Sequence, residues 1–297
     1  MFLEPKDVLI QELKSEFLSF NKVQVFIQRE DLIHPYISGN KWRKLKYNFI
    51  KAQQKGFKNI LTFGGAYSNH ILAVAAAADY YNMNSRGIIR GEQHKELNFT
   101  LKKASYFGMK LTYIRRSFYR NKVNYDWSID YPDYYIVPEG GDNELAVKGC
   151  EEILINKKFD FVCCSCGTGS TIAGIIRSMN KNQQAIGFSA LKGNYDLQMN
   201  IKKYVSNKIK WHLNFDYNFG GYAKVSKKLI VFINEFKKKY KISLDPIYTG
   251  KLVFGIFDLI NKKYFRDGSK ILIIHTGGLQ GIIGMNKKIN QKGWNIE

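Results

Sequence analysis

Four cysteines in 297 residues are too few to staple a chain of this length, and three of them crowd into CCSC at 163–166. Such usage makes no disulfide framework and points to a reducing cytoplasm. No second pair of ligands follows at a suitable spacing. Cys163, Cys164 and Cys166 are therefore read as small buried residues of a strand, and no metal is expected. No apolar run is long enough to cross a bilayer as a helix, so no membrane partner is expected. The opening MFLEPKDVLIQELKSEF mixes acids with bases and has no apolar centre of the kind a secretion signal needs. Proline is scarce, and no Pro/Gly linker, repeat or low-complexity tract divides the chain, whose length suits one large domain or two smaller ones.

Acid is the remaining shortage: 25 Asp and Glu stand against 46 Lys and Arg, a formal net charge of +21. That balance suits an anionic partner such as nucleic acid. The lysines, however, are spread along the whole length. Their clusters at 102–103, 157–158, 202–203, 227–228 and 237–239 are short and fall in helix-like segments, as on the decorated outside of an enzyme. Nucleic-acid binding is the minority reading.

What is present is a recurring unit: a short apolar run, a glycine turn, then a helical pattern. NILTFGGAYSNHILAVAAAADYY (59–81), FDFVCCSCGTGSTIAGIIRSM (159–179) and KILIIHTGGLQGIIGM (270–285) all read this way. Further strands are expected at 85–91, 109–115 and 134–141, and helices at 93–107 and 143–156. Alternating strands and helices with near-continuous apolar strands argue for an α/β fold with parallel sheet covered on both faces. Ligands in such folds sit at the carboxyl ends of the strands, where the glycine turns fall.

CGTGST (166–171) is the strongest anion signal. Gly167 and Gly169 allow a tight turn, Thr168, Ser170 and Thr171 add hydroxyls, and the following helix points its positive end at the same place. A plain strand-to-helix turn with Ser/Thr capping explains the loop equally well. It is neither a Walker loop nor a dinucleotide GxGxxG. One phosphate without a metal site suggests a phosphorylated organic cofactor. GGAYSNH (64–70) sets Ser68, Asn69 and His70 at a helix start, where capping accounts for one polar residue and a small-molecule contact for three. In HTGG (275–278) Thr276 ends an apolar strand. Tyr248 in DPIYTGK (245–251) and Tyr222 in FGGYAK (219–224) follow turn chemistry, although any one of 19 tyrosines can be simple packing. SGNKWRKLKYN (38–48) holds Lys41 at a bend made by Gly39 and Asn40, directly before a helical pattern. A helix entrance disfavours an ammonium and frees an amine for imine chemistry with a carbonyl cofactor. A solvated lysine remains the alternative there, and Arg43, Lys44 and Lys46 are read as flanking charges.

In this order, REDLIHPYISGNKWRKLKYN, GGAYSNH, VPEGG, CGTGST, DPIYTGK and HTGGLQG resemble the D-cysteine desulfhydrase and 1-aminocyclopropane-1-carboxylate deaminase family, over roughly residues 20–285. This is a branch of the fold type II, tryptophan synthase β-like, pyridoxal-phosphate enzymes. The resemblance implies two three-layer open-sheet domains with mostly parallel strands. Residues 1–45 and 158–297 would form the larger, cofactor-binding domain and 46–157 the smaller, with the active site in the cleft between them. It implies that Lys41 carries pyridoxal 5'-phosphate as a Schiff base and that Asn69 meets its phenolic oxygen. Gly167, Thr168, Gly169, Ser170 and Thr171 would hold the phosphate, and Thr276 would face the pyridine nitrogen. Ser68, with Asn69 and His70, would meet the substrate, and Tyr248 and Tyr222 would line the reacting face. A homodimer is also implied. The deaminase pattern has glutamate after the motif tyrosine and leucine in place of the HTGG threonine. This chain has Thr249 and Thr276, as on the desulfhydrase side. The expected reaction is elimination from D-cysteine to pyruvate, ammonia and sulfide, with cyclopropane ring opening or serine dehydration on the same scaffold as alternatives. The basic, tyrosine-rich segment 108–134 is a candidate border of the cleft.

Overall fold

The computed structural model describes residues 8–93, 95–154, 158–193, 195–206 and 209–297. The first seven residues, which belong to the proposed larger domain, and the end of the expected 143–156 helix lie outside the described residues. Among these, the strands are β1 (Ile10–Leu13), β2 (Gln24–Gln28), β3 (Asn59–Gly64), β4 (Asn84–Arg90), β5 (Lys110–Ile114), β6 (Tyr134–Ile136), β7 (Phe161–Cys166), β8 (Gln184–Ser189), β9 (Lys210–Asn214) and β10 (Lys270–Ile274). The helices are α1 (Glu16–Phe20), α2 (Asn40–Gln54), α3 (Asn69–Tyr80), α4 (Phe99–Tyr106), α5 (Arg116–Arg120), α6 (Trp127–Asp130), α7 (Glu144–Cys150), α8 (Ser170–Ser178), α9 (Asp196–Lys202), α10 (Lys227–Tyr240), α11 (Thr249–Asn261) and α12 (Gly281–Ile289).

Two sheets result, in the orders β1-β2-β10-β7-β8-β9 and β5-β4-β3-β6. Every pairing is parallel except that of β1 with β2. The continuous apolar strands anticipated this, because each is buried on both faces. Along β10, Ile271 and Ile273 enter one core while Leu272 and Ile274 enter the other, and in β7 Cys163 and Cys164 divide the same way. The cysteines are free and buried, in the role the strand pattern gave them. In the smaller sheet Ile60 faces the core built around the alanine-rich α3, whereas Leu61 and Phe63 face an aromatic cluster with Tyr119 and Trp127. Segment 108–134 therefore supplies β5 as a strand of that sheet and then, through Tyr119 and Trp127, packs on its aromatic face.

Several sequence expectations change, among them the helix expected over 143–156, which ends at Cys150 with residues 151–154 out of helix. The strand expected over 134–141 stops at Ile136, because Pro138 and the positive φ of Gly140 and Gly141 turn the chain into a 3-10 turn at Glu139–Gly141. The helix expected from residue 93 starts only at Phe99, where the Asn98 side chain caps the Leu101 N–H. Lys41 is not at a bend ahead of its helix. Gly39 (φ 63°) takes the cap position, so Lys41 is already in the first turn of α2.

Candidate active site

The carboxyl ends of β3, β7 and β10 and the first turn of α2 converge on one cavity of about 670 Å3. Their approach depends on glycine. A Cβ on Gly39 would lie 1.9 Å from the carbonyl oxygen of Thr276, and one on Gly277 would lie 2.9 Å from Ser38 Oγ. Asn40 locks the junction. Its N–H donates to the Thr276 carbonyl (3.3 Å), and its Nδ2 donates to Thr171 Oγ1 (2.8 Å). Three motifs far apart in sequence thus share one residue.

Lys41 follows, nearly buried, with its Nζ 3.3 Å from Asn40 Oδ1. Burial, and after it the ammonium of Lys44, push its amine well below the usual lysine range. The shift makes the unprotonated, nucleophilic form of the amine easier to reach than in an ordinary lysine. Lys44 is not the solvated flank that its sequence context suggested. Three positions after Lys41 it shares the same helix face, is buried, lines the cavity and donates to the Gly140 carbonyl (3.1 Å). Arg43 turns the other way, into a buried pair with Glu30 (Nε to Oε2, 3.0 Å), and Lys46 reaches Glu152 at 2.7 Å. No local signal identified the partner of Lys46, since Glu152 is 106 positions away.

All the nominated residues line the cavity except Ser170, which is fully buried at the start of α8 and meets Thr168 through its hydroxyl (3.3 Å). Gly169 (φ +103°) caps α8, and a Cβ there would lie 2.8 Å from Ile201 Cγ1. A Cβ on Gly167 would approach the Tyr248 hydroxyl to 3.3 Å. Space that side chains would fill is kept open beside the positive end of a nine-residue helix and two buried amines. That donor set fits a phosphate joined to an aldehyde. At the end of β10, Thr276 Oγ1 lies 3.2 Å from Ser165 Oγ, a pair of neutral hydroxyls. Ser165 had no distinguishing sequence context.

The remaining wall carries Ser68, which caps α3 by accepting from the Ile71 N–H (3.3 Å), then Asn69 and His70. The His70 ring is buried, with Nε2 2.8 Å from Thr62 Oγ1, and burial followed by Lys41 and Lys44 keeps it neutral. Opposite, Tyr248 caps α11 and meets Tyr222 edge to face at 6.3 Å between ring centroids. Burial raises both phenols, so both keep their protons. Asp245, which sequence reasoning overlooked, fixes Tyr248. Its carboxylate accepts the N–H groups of Ile247, Tyr248 and Thr249 (2.9, 2.9 and 2.8 Å) and the Thr249 hydroxyl (2.7 Å). The D-x-x-Y-T spacing was the available signal. Thr249 is thereby occupied away from the cavity. Glu139, which lines the cavity, pairs with Lys122 (2.8 Å), so segment 108–134 reaches a residue of the cavity wall.

No cluster suited to a metal ion, and no helix long and apolar enough to cross a membrane, occurs among the described residues. A Pyrococcus furiosus protein provisionally named 1-aminocyclopropane-1-carboxylate deaminase is 30% identical over 89% of this chain and 88% of its own length. An Arabidopsis thaliana protein named bifunctional D-cysteine desulfhydrase/1-aminocyclopropane-1-carboxylate deaminase, mitochondrial, is 28% identical over 91% of this chain and 75% of its own. A solved structure described as an ACC deaminase homologue superposes with a TM-score of 0.84 at 25% identity, covering 97% of this chain and 94% of that one. The model of the pyridoxal-phosphate dependent enzyme family matches residues 11–277. The glycine-kept space, the free amine and the helix end now have a common explanation: this chain is a member of the pyridoxal-phosphate dependent enzymes, in the branch related to the 1-aminocyclopropane-1-carboxylate deaminases and D-cysteine desulfhydrases, with pyridoxal phosphate as its cofactor.

Proposed function

We propose that the chain catalyses α,β-elimination from a small D-amino acid, with D-cysteine the preferred substrate and pyruvate, ammonia and sulfide the products. The Thr276–Ser165 hydroxyl pair carries this choice. A neutral hydroxyl assigned to the pyridine nitrogen does not hold a proton there as a carboxylate would, which favours prompt loss of a β-leaving group over slower reactions at Cα. The larger domain of 1–45 and 158–297 and the smaller of 46–157 are proposed to flank the cavity, a reading supported by the separate strand sets of the two sheets.

Gly167, Thr168, Gly169, Ser170 and Thr171 would hold the phosphate, Asn69 the phenolic oxygen, Thr276 the pyridine nitrogen and Lys41 the aldehyde carbon. Lys44 adds a second buried amine to the same cavity. Bound pyridoxal phosphate supplies the electron sink for negative charge at the substrate's Cα. Lys41 would supply the amine that holds the aldehyde carbon, and the same amine would serve as the base that takes the Cα proton. Ser68 and the positive end of α3 orient the substrate carboxylate beside Asn69 and His70. Tyr248 and Tyr222 hold their phenolic protons, and either can protonate the departing sulfur. Loss of the Cα proton and cleavage of the C–S bond leave an enamine, which water converts to pyruvate and ammonia.

The test is release of 2-oxo acid from D-cysteine, D-serine, L-serine and 1-aminocyclopropane-1-carboxylate by the cofactor-loaded protein. D-cysteine is expected to give the highest kcat/KM. Absence of pyruvate from D-cysteine rejects the proposal. Ring opening of the cyclopropane substrate would then stand first, since that activity appears in the names of the relatives.

A further inference from the structure

FGGYAK and DPIYTGK are separated by twenty residues, and nothing in either motif connects it to the other. In the fold they are joined by one side chain. Lys251, in the first turn of α11, is 2% exposed and does not line the cavity. Its Nζ donates to the carbonyl of Asn218 at 2.8 Å and to that of Gly221 at 2.7 Å.

The loop it grips has an unfavourable backbone. Phe219 and Ala223 have φ of 52° and 53°, and the glycines between them have 92° and 110°. Side chains with a Cβ rarely hold such angles without support. Support comes from three sides. The Asn218 side chain closes the loop on itself through the Gly220 N–H (2.8 Å) and the Phe215 carbonyl (2.6 Å). Phe219 packs on Phe254 of α11, with ring centroids 5.0 Å apart. Lys288 of α12 donates to the Ala223 carbonyl (3.1 Å) but is exposed. Lys251, by contrast, is buried, and the bond to Gly221, the residue immediately before Tyr222, is itself buried.

We propose that Lys251 is a positioning residue: its buried amine ties the loop carbonyls to the first turn of α11 and so holds Tyr222 over the cavity against Tyr248. Because Tyr248 caps the same helix, one helix start sets both rings. This rests on the reading of Tyr222 as a residue of the reacting face.

The test compares Lys251→Met, Tyr222→Phe and the double variant as cofactor-loaded protein, by hydrogen exchange and by steady-state kinetics. Amides of 218–224 are expected to exchange about tenfold faster or more in Lys251→Met, while exchange in β7, α8 and β10 stays unchanged. The kcat of Lys251→Met should fall towards that of Tyr222→Phe, with a smaller change in KM. Adding Lys251→Met to Tyr222→Phe should change kcat less than about twofold, because the two act through one group. Unchanged loop exchange, or losses that multiply in the double variant, would overturn the proposal. Lys251→Gln keeps a polar terminus in the same channel and repeats the measurement if the methionine variant does not fold. Full turnover by Tyr222→Phe would remove that tyrosine from the reacting face, leaving the clamp to be judged by exchange alone.

Discussion

The first turns of α2 and α11 each contain a buried lysine, and the two lysines do opposite things. Both amines sit at the positive end of a helix and out of water, so both are depressed, Lys41 well below the usual range and Lys251 to about 8, burial being the first cause in each. What separates them is the supply of acceptors. Lys41 has a single amide oxygen at 3.3 Å, whereas Lys251 has two backbone carbonyls at 2.8 and 2.7 Å. An amine with little to hold it is available for bond formation. One gripped by two carbonyls serves as a strut. Burial alone does not distinguish a reagent from a brace; the hydrogen-bond inventory does.

Lys41→Met breaks the comparison most severely. Turnover should fall by on the order of 10^3 or more, and borohydride should no longer fix cofactor to the chain. The fold should gain from the same change, since an amine kept for chemistry is paid for in stability, typically by about 1 kcal/mol. Its folded-state pKa lies below the 10.5 of an ordinary lysine, so in the window between the two values the unfolded chain binds more protons. Stability of the cofactor-free parent therefore rises with pH across that window, and denaturant titrations of the methionine variant should lack that contribution.

Gly39→Ala tests the geometry that brings Lys41 to the cavity. The added methyl cannot coexist with the Thr276 carbonyl, and the positive φ adds strain, so a loss of about 2–4 kcal/mol is expected by thermal unfolding. Weaker cofactor retention in a spectrophotometric titration should accompany it. Lys44→Met is the mildest of the three. Losing the neighbouring ammonium removes one of the influences that depress Lys41, so the pH at which the amine begins to react with pyridoxal phosphate should move upward. It should remain below that of free lysine, because burial persists. Cofactor loading followed against pH measures this directly.

The strand–turn–helix units and the order of the glycine motifs were legible in the sequence because both are local. A glycine beside Lys41, or hydroxyls at the mouth of α8, carry their meaning within a few residues. Lys44, Ser165 and Lys251 did not, because their meaning lies in partners such as Gly140, 96 positions from Lys44, or Thr276, 111 from Ser165. Charge was the least readable property of all. Three of the four bases in 38–48 are partnered by Glu30, Glu152 or Gly140, and the fourth is Lys41, the proposed reagent. Asp245 lay between these cases: its capping role was written in the spacing DPIYT, but the tyrosine drew attention first.

The placement of β10 has a consequence for how this molecule comes into being. It lies between β2 and β7, parallel to both, although it is the last strand in the order of the chain. On the ribosome, β2 and β7 emerge long before the strand they share, each with an apolar edge unpaired. The central sheet can close only after residue 274 is available, which makes its contacts strongly non-local and its assembly slow. Thr276 and the Gly39 junction form with that closure, so competence to retain the cofactor should appear in one late step. Until then the open edges of β2 and β7 are the places where a newly made chain is most exposed to mispairing.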